Sequence, residues 1–215
     1  MVGFALLALL VTLRISQVMA FDQWLNRTVV TNRTSWLDQA MNITTGLGAR
    51  YVIVSLLLVF TGWALLRGRC MRVTALLWAA FLVNPIVEAL LKGLVGRPRP
   101  DLLQLRPGNG PSFPSGHVLA SVGFYGLVAV VLWQSTRRSG HRLAIATITG
   151  ALLGGIAASR VYLGVHWPID AFAGLVIGAV FVVIASRFLK GHHVGADHTC
   201  PRAALGSGEP SSLAR

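Results

Sequence analysis

Long apolar stretches separated by short polar segments make up most of the chain. Six stretches approach the roughly 20 residues that a helix needs to cross a bilayer; they are residues 2–20, 49–66, 73–94, 117–133, 143–159 and 168–189. None of them alternates apolar and polar residues with the period of two that is typical of strands. The pattern predicts an all-α fold, a polytopic membrane helix bundle with about six transmembrane helices in one domain, residues 1–190.

The two ends of the chain depart from this pattern. The stretch 2–20 is interrupted by Arg14, Ser16 and Gln17, and a signal peptide is its alternative interpretation. It has no basic start and no small-residue cleavage motif after it, which favours a membrane span. Residues 191–215 are polar and rich in Gly, Ser and Pro. They are predicted to form a disordered cytoplasmic tail.

Histidines and a cysteine in the predicted tail raise the question of a metal site. The spacing of His192, His193, His198 and Cys200 matches no standard zinc site, so no metal is predicted there. The only other cysteine, Cys70, falls in a predicted cytoplasmic loop, and we expect no disulfide.

Composition and charge support a membrane protein. The chain is 54% hydrophobic and 12% charged, whereas soluble domains have about 25% charged residues. Its 19 Lys and Arg against 7 Asp and Glu give a net charge of +12. This excess could indicate nucleic-acid binding, but the basic residues lie between apolar runs, as in cytoplasmic loops of membrane proteins. We therefore expect a bilayer environment and no nucleic-acid partner.

The distribution of basic residues predicts the orientation. If six helices alternate, three basic clusters fall on the same side, at 67–72, 137–142 and 187–190. By the positive-inside rule that side is the cytoplasm, and both termini lie there. The opposite, extracytoplasmic face then carries the connections 21–48, 95–116 and 160–167. Tryptophans in the first of these, Trp24 and Trp36, predict a short interfacial helix.

A Pro-Ser-Gly-His segment on the predicted extracytoplasmic face precedes the fourth apolar stretch. Ser115 suits the N-cap of a helix, and Gly116 allows the backbone to approach a ligand closely. Free N–H groups at a helix N-terminus bind anions such as phosphate, and His117 would stand at the mouth of that site. A plain helix start is the alternative.

A second cluster, on the same face, precedes the last apolar stretch. Ser159 and Arg160 are followed by His166 and, four residues later, by Asp170. A carboxylate there can accept a hydrogen bond from one imidazole nitrogen and leave the other free as base or nucleophile. The alternative is that Asp170 only caps the helix.

A third cluster supplies cations. Lys92 lies four residues after Glu88, so the two side chains share a helix face and can form an ion pair. Alternatively, the Lys92 side chain extends to the headgroup region. Arg97 and Arg99 alternate with prolines and could contact anionic lipid headgroups.

The three clusters together resemble the signature motifs of the type 2 phosphatidic acid phosphatase and vanadium haloperoxidase superfamily. Those motifs read K-x6-R-P, P-S-G-H and S-R-x5-H-x3-D, and the chain matches every specified position in that order between Lys92 and Asp170. The resemblance implies a metal-independent, cofactor-free phosphatase of the membrane lipid phosphatase branch.

The resemblance also implies roles for individual residues. His166 would be the nucleophile that forms a phosphohistidine, Asp170 would orient it, and His117 would protonate the leaving group. Five further motif positions would bind the phosphate oxygens; they are Lys92, Arg99, Ser115, Gly116 and Arg160. The motif position Ser159 has no defined role of this kind. Arg97 lies outside the strict motif. We expect a bell-shaped dependence of rate on pH from the coupled histidines.

The motifs leave the lipid tail unspecified. Undecaprenyl diphosphate is the first choice of substrate, with phosphatidic acid and phosphatidylglycerol phosphate as alternatives; the oligomeric state is open. A vanadate-dependent oxidoreductase is a weaker alternative, because six spans leave no room for the larger soluble domain of those relatives. A non-catalytic transporter or anionic-lipid binder would leave the complete catalytic set unexplained.

Overall fold

The computed structural model describes residues 16–68, 71–101 and 104–190, and these form an all-helical bundle. Two helices precede the long ones, α1 (Ser16–Thr31) and α2 (Ser35–Leu47). The five long helices are α3 (Arg50–Arg67), α4 (Met71–Val95), α5 (Gly116–Ser135), α6 (Ser139–Tyr162) and α7 (Pro168–Lys190). A π-helical segment, Val122–Gly126, interrupts α5.

The predicted membrane bundle is confirmed, with helix ends within a few residues of the predicted ones. Among the described residues, the five helices α3 to α7 are long and apolar enough to cross a membrane. Most of the predicted first span lies outside the described residues; its last part, 16–20, belongs to α1. The predicted tail 191–215 and both cysteines also lie outside them.

The long helices bury small and branched side chains inside the bundle and carry large apolar ones outside. The central core includes Ile53, Leu57, Leu77, Val118 and Leu127. Large side chains on the outer surfaces are strongly exposed; examples are Val59, Leu66, Leu94, Ile148 and Phe188. Apolar side chains on the outside suit a helix surrounded by lipid.

Helices α5 and α7 approach each other closely at glycines. A β-carbon at Gly174 would lie 2.8 Å from the carbonyl oxygen of Ser115, and one at Gly178 would lie 2.5 Å from the β-carbon of Val122. Small residues at helix contacts are typical of membrane bundles. This contact aligns the N-terminus of α7 with that of α5, where the Ser115 N–H donates to the Asp170 carbonyl at 3.0 Å.

The polar motifs lie together at one end of the bundle, which we call the site end. It is formed by the C-terminus of α4, the N-termini of α3, α5 and α7, and the C-terminus of α6. The connection after α4 turns at Gly96, whose φ of +59° suits glycine. Helices α1 and α2 also pack there, and their Trp24 and Trp36 side chains are 61% and 69% exposed, as suits residues at a membrane interface.

Candidate active site

His166 lies in the connection between α6 and α7 and is almost fully buried. Its Nδ1 lies 2.9 Å from the Ser112 carbonyl oxygen, which can only accept, so Nδ1 carries the proton. The other nitrogen, Nε2, is then the unprotonated one, and it lies 3.4 Å from Nη1 of Arg99. Burial lowers the pKa of His166 below the usual 6.5, and the Asp170 carboxylate offsets this only in part.

The sequence suggested that Asp170 accepts a hydrogen bond from the His166 imidazole, but His166 Nδ1 donates to the Ser112 carbonyl instead. Oδ2 of Asp170 lies 3.7 Å from His166 Nδ1, beyond hydrogen-bonding distance. The carboxylate instead accepts from Arg97 Nη1 at 2.7 Å and from the Trp167 N–H at 3.0 Å. Asp170 therefore acts on His166 through its charge and through the loop that it fixes.

Arg97, which the sequence analysis suggested as a headgroup contact, forms two ion pairs inside the protein. Its guanidinium lies between two buried carboxylates, at 2.5 Å from Asp22 and 2.7 Å from Asp170. Asp22, on α1, also accepts from the Ile169 N–H at 3.0 Å. One turn later on α1, Asn26 donates to the His166 carbonyl at 3.5 Å. Helix α1 thus holds the chain on both sides of Trp167.

His117 occupies the first turn of α5, as predicted. Its Nε2 lies 2.8 Å from the Thr45 carbonyl, which leaves Nδ1 for proton exchange with a ligand. The Thr45 hydroxyl in turn accepts from Arg160 Nη1 at 2.9 Å. Thr45, at the end of α2 and 1% exposed, therefore connects two of the predicted site residues.

Two polar atoms in the predicted phosphate-binding set are buried without a hydrogen-bond partner. They are the Ser115 hydroxyl oxygen and Arg160 Nε, and the described residues contain one other such atom, Asn26 Oδ1. Ser115 takes the N-cap position of α5, but its hydroxyl accepts no hydrogen bond from the N–H groups of the first turn. Buried polar atoms normally have partners, so these two atoms indicate a place for a polar ligand.

The Glu88 carboxylate contacts both Lys92 and Gly116. The predicted ion pair forms, with Lys92 Nζ 2.7 Å from Glu88 Oε1. Glu88 Oε2 also binds Arg50 Nη2 at 2.5 Å. The carboxylate lies directly on Gly116, since a β-carbon there would come within 2.0 Å of it. Only glycine therefore allows this anion to lie at the start of α5.

Arg99 lies beside His166 and is held by backbone carbonyls. Nη1 donates to Val165 at 2.6 Å, and Nε and Nη2 donate to Gly110 and Asn109 at 2.9 Å each. The structure thus brings all eight predicted site residues to one end of the bundle. The described residues contain no group of three His, Cys, Asp or Glu side chains that could hold a metal ion.

The family model of the PAP2 superfamily matches residues 72–193, more than half of the chain. The chain belongs to the PAP2 superfamily. It is 27% identical over 183 residues to phosphatidylglycerophosphatase B of Bacillus subtilis, a match that covers 85% of this chain and 90% of that protein. It is 28% identical to an undecaprenyl-diphosphatase of Sulfolobus acidocaldarius, over 76% of each chain.

A solved PAP2 structure has the same fold. The crystal structure of a transmembrane PAP2-type phosphatidylglycerolphosphate phosphatase from Bacillus subtilis matches with a TM-score of 0.79 and 27% identity, covering 88% of this chain and 96% of that one. The resemblance drawn from the three motifs is thereby confirmed, together with the all-α membrane fold and the assignment to a phosphatase family.

Several contacts of this PAP2 site involve residues that the sequence analysis did not assign. Ser112 contacts His166, and Thr45 contacts His117, through carbonyl oxygens, which carry no residue-type signal; Thr45 also binds Arg160 through its hydroxyl. Asp22 could have been identified from the sequence. It is an acid just after a weak apolar stretch, and a charge buried there needs a partner of opposite charge. Arg50 stands at the start of an apolar stretch and was likewise not considered.

Proposed function

We propose that this membrane protein hydrolyses the phosphate ester or diphosphate bond of a lipid, through a phosphohistidine on His166 and without a metal ion. The observation that carries the proposal is the pair of unpartnered buried atoms, Ser115 Oγ and Arg160 Nε, at the site that also holds His166 Nε2 and His117. A phosphoryl group would supply the acceptors that these donors lack.

The first step forms a bond between His166 Nε2 and phosphorus and breaks the bond from phosphorus to the leaving oxygen. The Ser112 carbonyl keeps the proton on Nδ1, so the lone pair of Nε2 is available for attack. His117 gives a proton to the leaving oxygen through Nδ1. Water then attacks the phosphohistidine while His117 takes a proton back, and inorganic phosphate leaves.

Cations and N–H groups stabilise the charge of the transferred phosphoryl group. Arg99 lies beside His166 Nε2, and Arg160 is anchored by Thr45, so both are fixed before the substrate arrives. The N-terminus of α5 adds backbone N–H groups that point at an anion. Preorganised donors of this kind supply much of the stabilisation of a phosphoryl-transfer transition state.

The names of the relatives suggest which lipids to test. One relative is named a phosphatidylglycerophosphatase and another an undecaprenyl-diphosphatase. Our first choice for this chain is undecaprenyl diphosphate, which would yield undecaprenyl phosphate and inorganic phosphate. Phosphatidic acid and phosphatidylglycerol phosphate are the alternatives.

The test measures phosphate release by the detergent-purified protein in the presence of EDTA, with undecaprenyl diphosphate and phosphatidic acid side by side. We expect release from at least one lipid and its loss in the His166→Ala variant. His141→Ala is the matched control, because His141 is exposed at the opposite end of the bundle, and it should keep the wild-type rate. Rapid quenching at alkaline pH should trap phosphate on the peptide that contains His166.

Two results would contradict the proposal. Full activity in His166→Ala would exclude the phosphohistidine. Tight binding of the lipids without phosphate release, in wild type, would favour a non-catalytic lipid binder.

A further inference from the structure

Arg50 is an arginine in an unfavourable position. It is the first residue of α3, where the positive end of the helix dipole disfavours a cation, and the first turn of α3 contains no acid. The helix therefore gains no stability from Arg50. A contact elsewhere must account for its orientation, and that contact is Glu88, 2.5 Å away on α4.

Glu88 brings Arg50 to the phosphate-binding end of α5. The Glu88 carboxylate lies against the α-carbon of Gly116, at the helix N-terminus that we propose binds the phosphoryl group. It also binds Lys92 at 2.7 Å. Lys92 and Arg50 together carry two positive charges against the single negative charge of Glu88. The group therefore has a net charge of about +1 and attracts a further anion.

Arg50 lies on the His117 side of the site. Gly48, two residues earlier, packs so closely on the His117 ring that a β-carbon would lie 3.0 Å from His117 Cδ2. Arg99, in contrast, lies on the His166 side, 3.4 Å from Nε2. The two arginines thus flank the site from the leaving-group side and from the nucleophile side.

Arg50 keeps donors for a ligand. Its side chain is 55% exposed, and the ion pair with Glu88 occupies Nη2. A guanidinium has five N–H donors, so those that Glu88 does not use remain available to a ligand. Planar pairs of such donors match the oxygens of a phosphate group.

We propose that Arg50 binds the phosphate group that remains on the lipid when a lipid diphosphate is cleaved, and thereby makes the enzyme prefer lipid diphosphates over lipid monophosphates. This inference rests on the proposed function. In the cleavage, the bond between the terminal phosphorus and the bridging oxygen breaks while the bond to His166 Nε2 forms. His117 protonates the bridging oxygen, which leaves as part of the lipid monophosphate.

The preference follows from the charge of the leaving group. A lipid monophosphate substrate releases a neutral alcohol, which offers Arg50 no negative charge. A lipid diphosphate releases a phosphate monoester next to His117, where Arg50 can neutralise the charge that develops. Arg50 would therefore stabilise the transition state of one substrate class only.

The test uses two substrates with the same tail, farnesyl diphosphate and farnesyl phosphate, and compares kcat/KM for wild type and Arg50→Gln. We expect Arg50→Gln to lower kcat/KM for the diphosphate by about tenfold more than for the monophosphate, the loss of roughly one charged hydrogen bond. Arg50→Lys, which keeps the charge, should recover part of the preference.

Arg106→Gln is the matched control. Arg106 is another exposed arginine at the site end, and its Nε donates to Asn42 Oδ1 at 2.7 Å. The Arg106→Gln substitution should change kcat/KM by the same factor for both substrates. The same selective loss in Arg106→Gln would assign the preference to the overall positive charge and overturn the role of Arg50.

The remaining outcomes separate the two proposals. One outcome would overturn the inference and leave the phosphatase proposal intact. It is an equal loss of kcat/KM for both substrates in an Arg50→Gln variant that elutes and melts like wild type. Where Arg50→Gln fails to fold, Arg50→Lys decides, because a folded lysine variant with no diphosphate preference at all contradicts a charge-based subsite. If wild type hydrolyses neither farnesyl substrate, the diphosphate preference is overturned, while the proposed function is still decided by phosphate release from undecaprenyl diphosphate and phosphatidic acid.

Discussion

At the scale of single residues, the two nitrogens of His166 have different surroundings. Nδ1 faces a carbonyl oxygen of Ser112 that cannot give up a proton, and Nε2 faces Arg99. The imidazole is therefore held in one tautomer, and burial disfavours its protonation. A buried histidine of this kind stays neutral at pH values where an ordinary histidine begins to be charged, as the proposed nucleophile must.

The lowered pKa of His166 determines how the rate falls at acidic pH. The proposed mechanism requires neutral His166, whose pKa lies below 6.5, so we expect lower pH to reduce kcat/KM only below that value. The measurement is kcat/KM of the purified protein between about pH 4 and 9 in one buffer series. An acidic limb centred above pH 6.5 would contradict a desolvated nucleophile.

Thr45 offers a second test at this scale, because its carbonyl is the nearer partner of His117 Nε2, at 2.8 Å against 3.5 Å for the hydroxyl, whereas its hydroxyl binds Arg160. Thr45→Val keeps the carbonyl that binds His117 and removes the hydroxyl that accepts from Arg160. We expect KM to rise by about three- to tenfold with little change in kcat, since one charged hydrogen bond to a binding residue is lost.

Thr44→Val is the control for that substitution. The Thr44 hydroxyl donates to the Ala40 carbonyl within α2 and contacts no proposed site residue. Equal effects of the two valine variants would mean that the threonines support α2 and have no specific effect on Arg160.

At the scale of helices, α1 connects the site to the rest of the molecule. Asp22 and Asn26 lie one turn apart on its buried face and bind Arg97, the Ile169 N–H and the His166 carbonyl. Arg97 in turn holds Asp170. The orientation of the proposed nucleophile therefore depends on a helix that belongs to no family motif.

Asp22→Asn tests this dependence. The variant keeps the shape but removes one of the two carboxylates around Arg97, which stays paired with Asp170. The cost is that of one charged hydrogen bond, about 1.5–3 kcal/mol. We expect a lower melting temperature and a kcat reduced by about tenfold, with KM nearly unchanged, because the loop around His166 loses its anchor. Asp101→Asn, at an exposed position, is the control. An increase in KM alone would place Asp22 in substrate binding.

At the scale of the whole molecule, the site end must face one side of the membrane. The basic residues Arg67, Arg72, Arg137 and Arg138 lie at the opposite end, which the positive-inside rule assigns to the cytoplasm. We therefore propose that the site faces the extracytoplasmic side. The substrate headgroup would then be cleaved at the outer surface of the cell membrane.

Cysteine labelling in intact cells tests this orientation. In a protein with Cys70→Ser and Cys200→Ser, a membrane-impermeant maleimide should label Asn109→Cys at the site end but not Ser139→Cys at the other end. Disrupted cells, in which both positions should react, provide the control. Labelling of Ser139→Cys alone in intact cells would place the site in the cytoplasm.

The sequence by itself determined the bundle of apolar helices, the family and the residues of the three motifs. Hydrophobic length is a property of continuous stretches of chain, so the ends of α3 to α7 could be predicted within a few residues. The motif spacing likewise reflects the helix ends that carry Lys92, His117 and Asp170.

Only the tertiary structure decided which partners these residues have. The Ser112 carbonyl beside His166, the Thr45 carbonyl beside His117 and the two carboxylates around Arg97 come from segments far apart in the chain. Backbone carbonyls occur at every position and give no residue-type signal, and distant ion pairs depend on how the helices pack. The sequence therefore identified the motif residues and the pair of Lys92 with Glu88, while packing fixed the tautomer of His166 and brought Arg50 to Glu88.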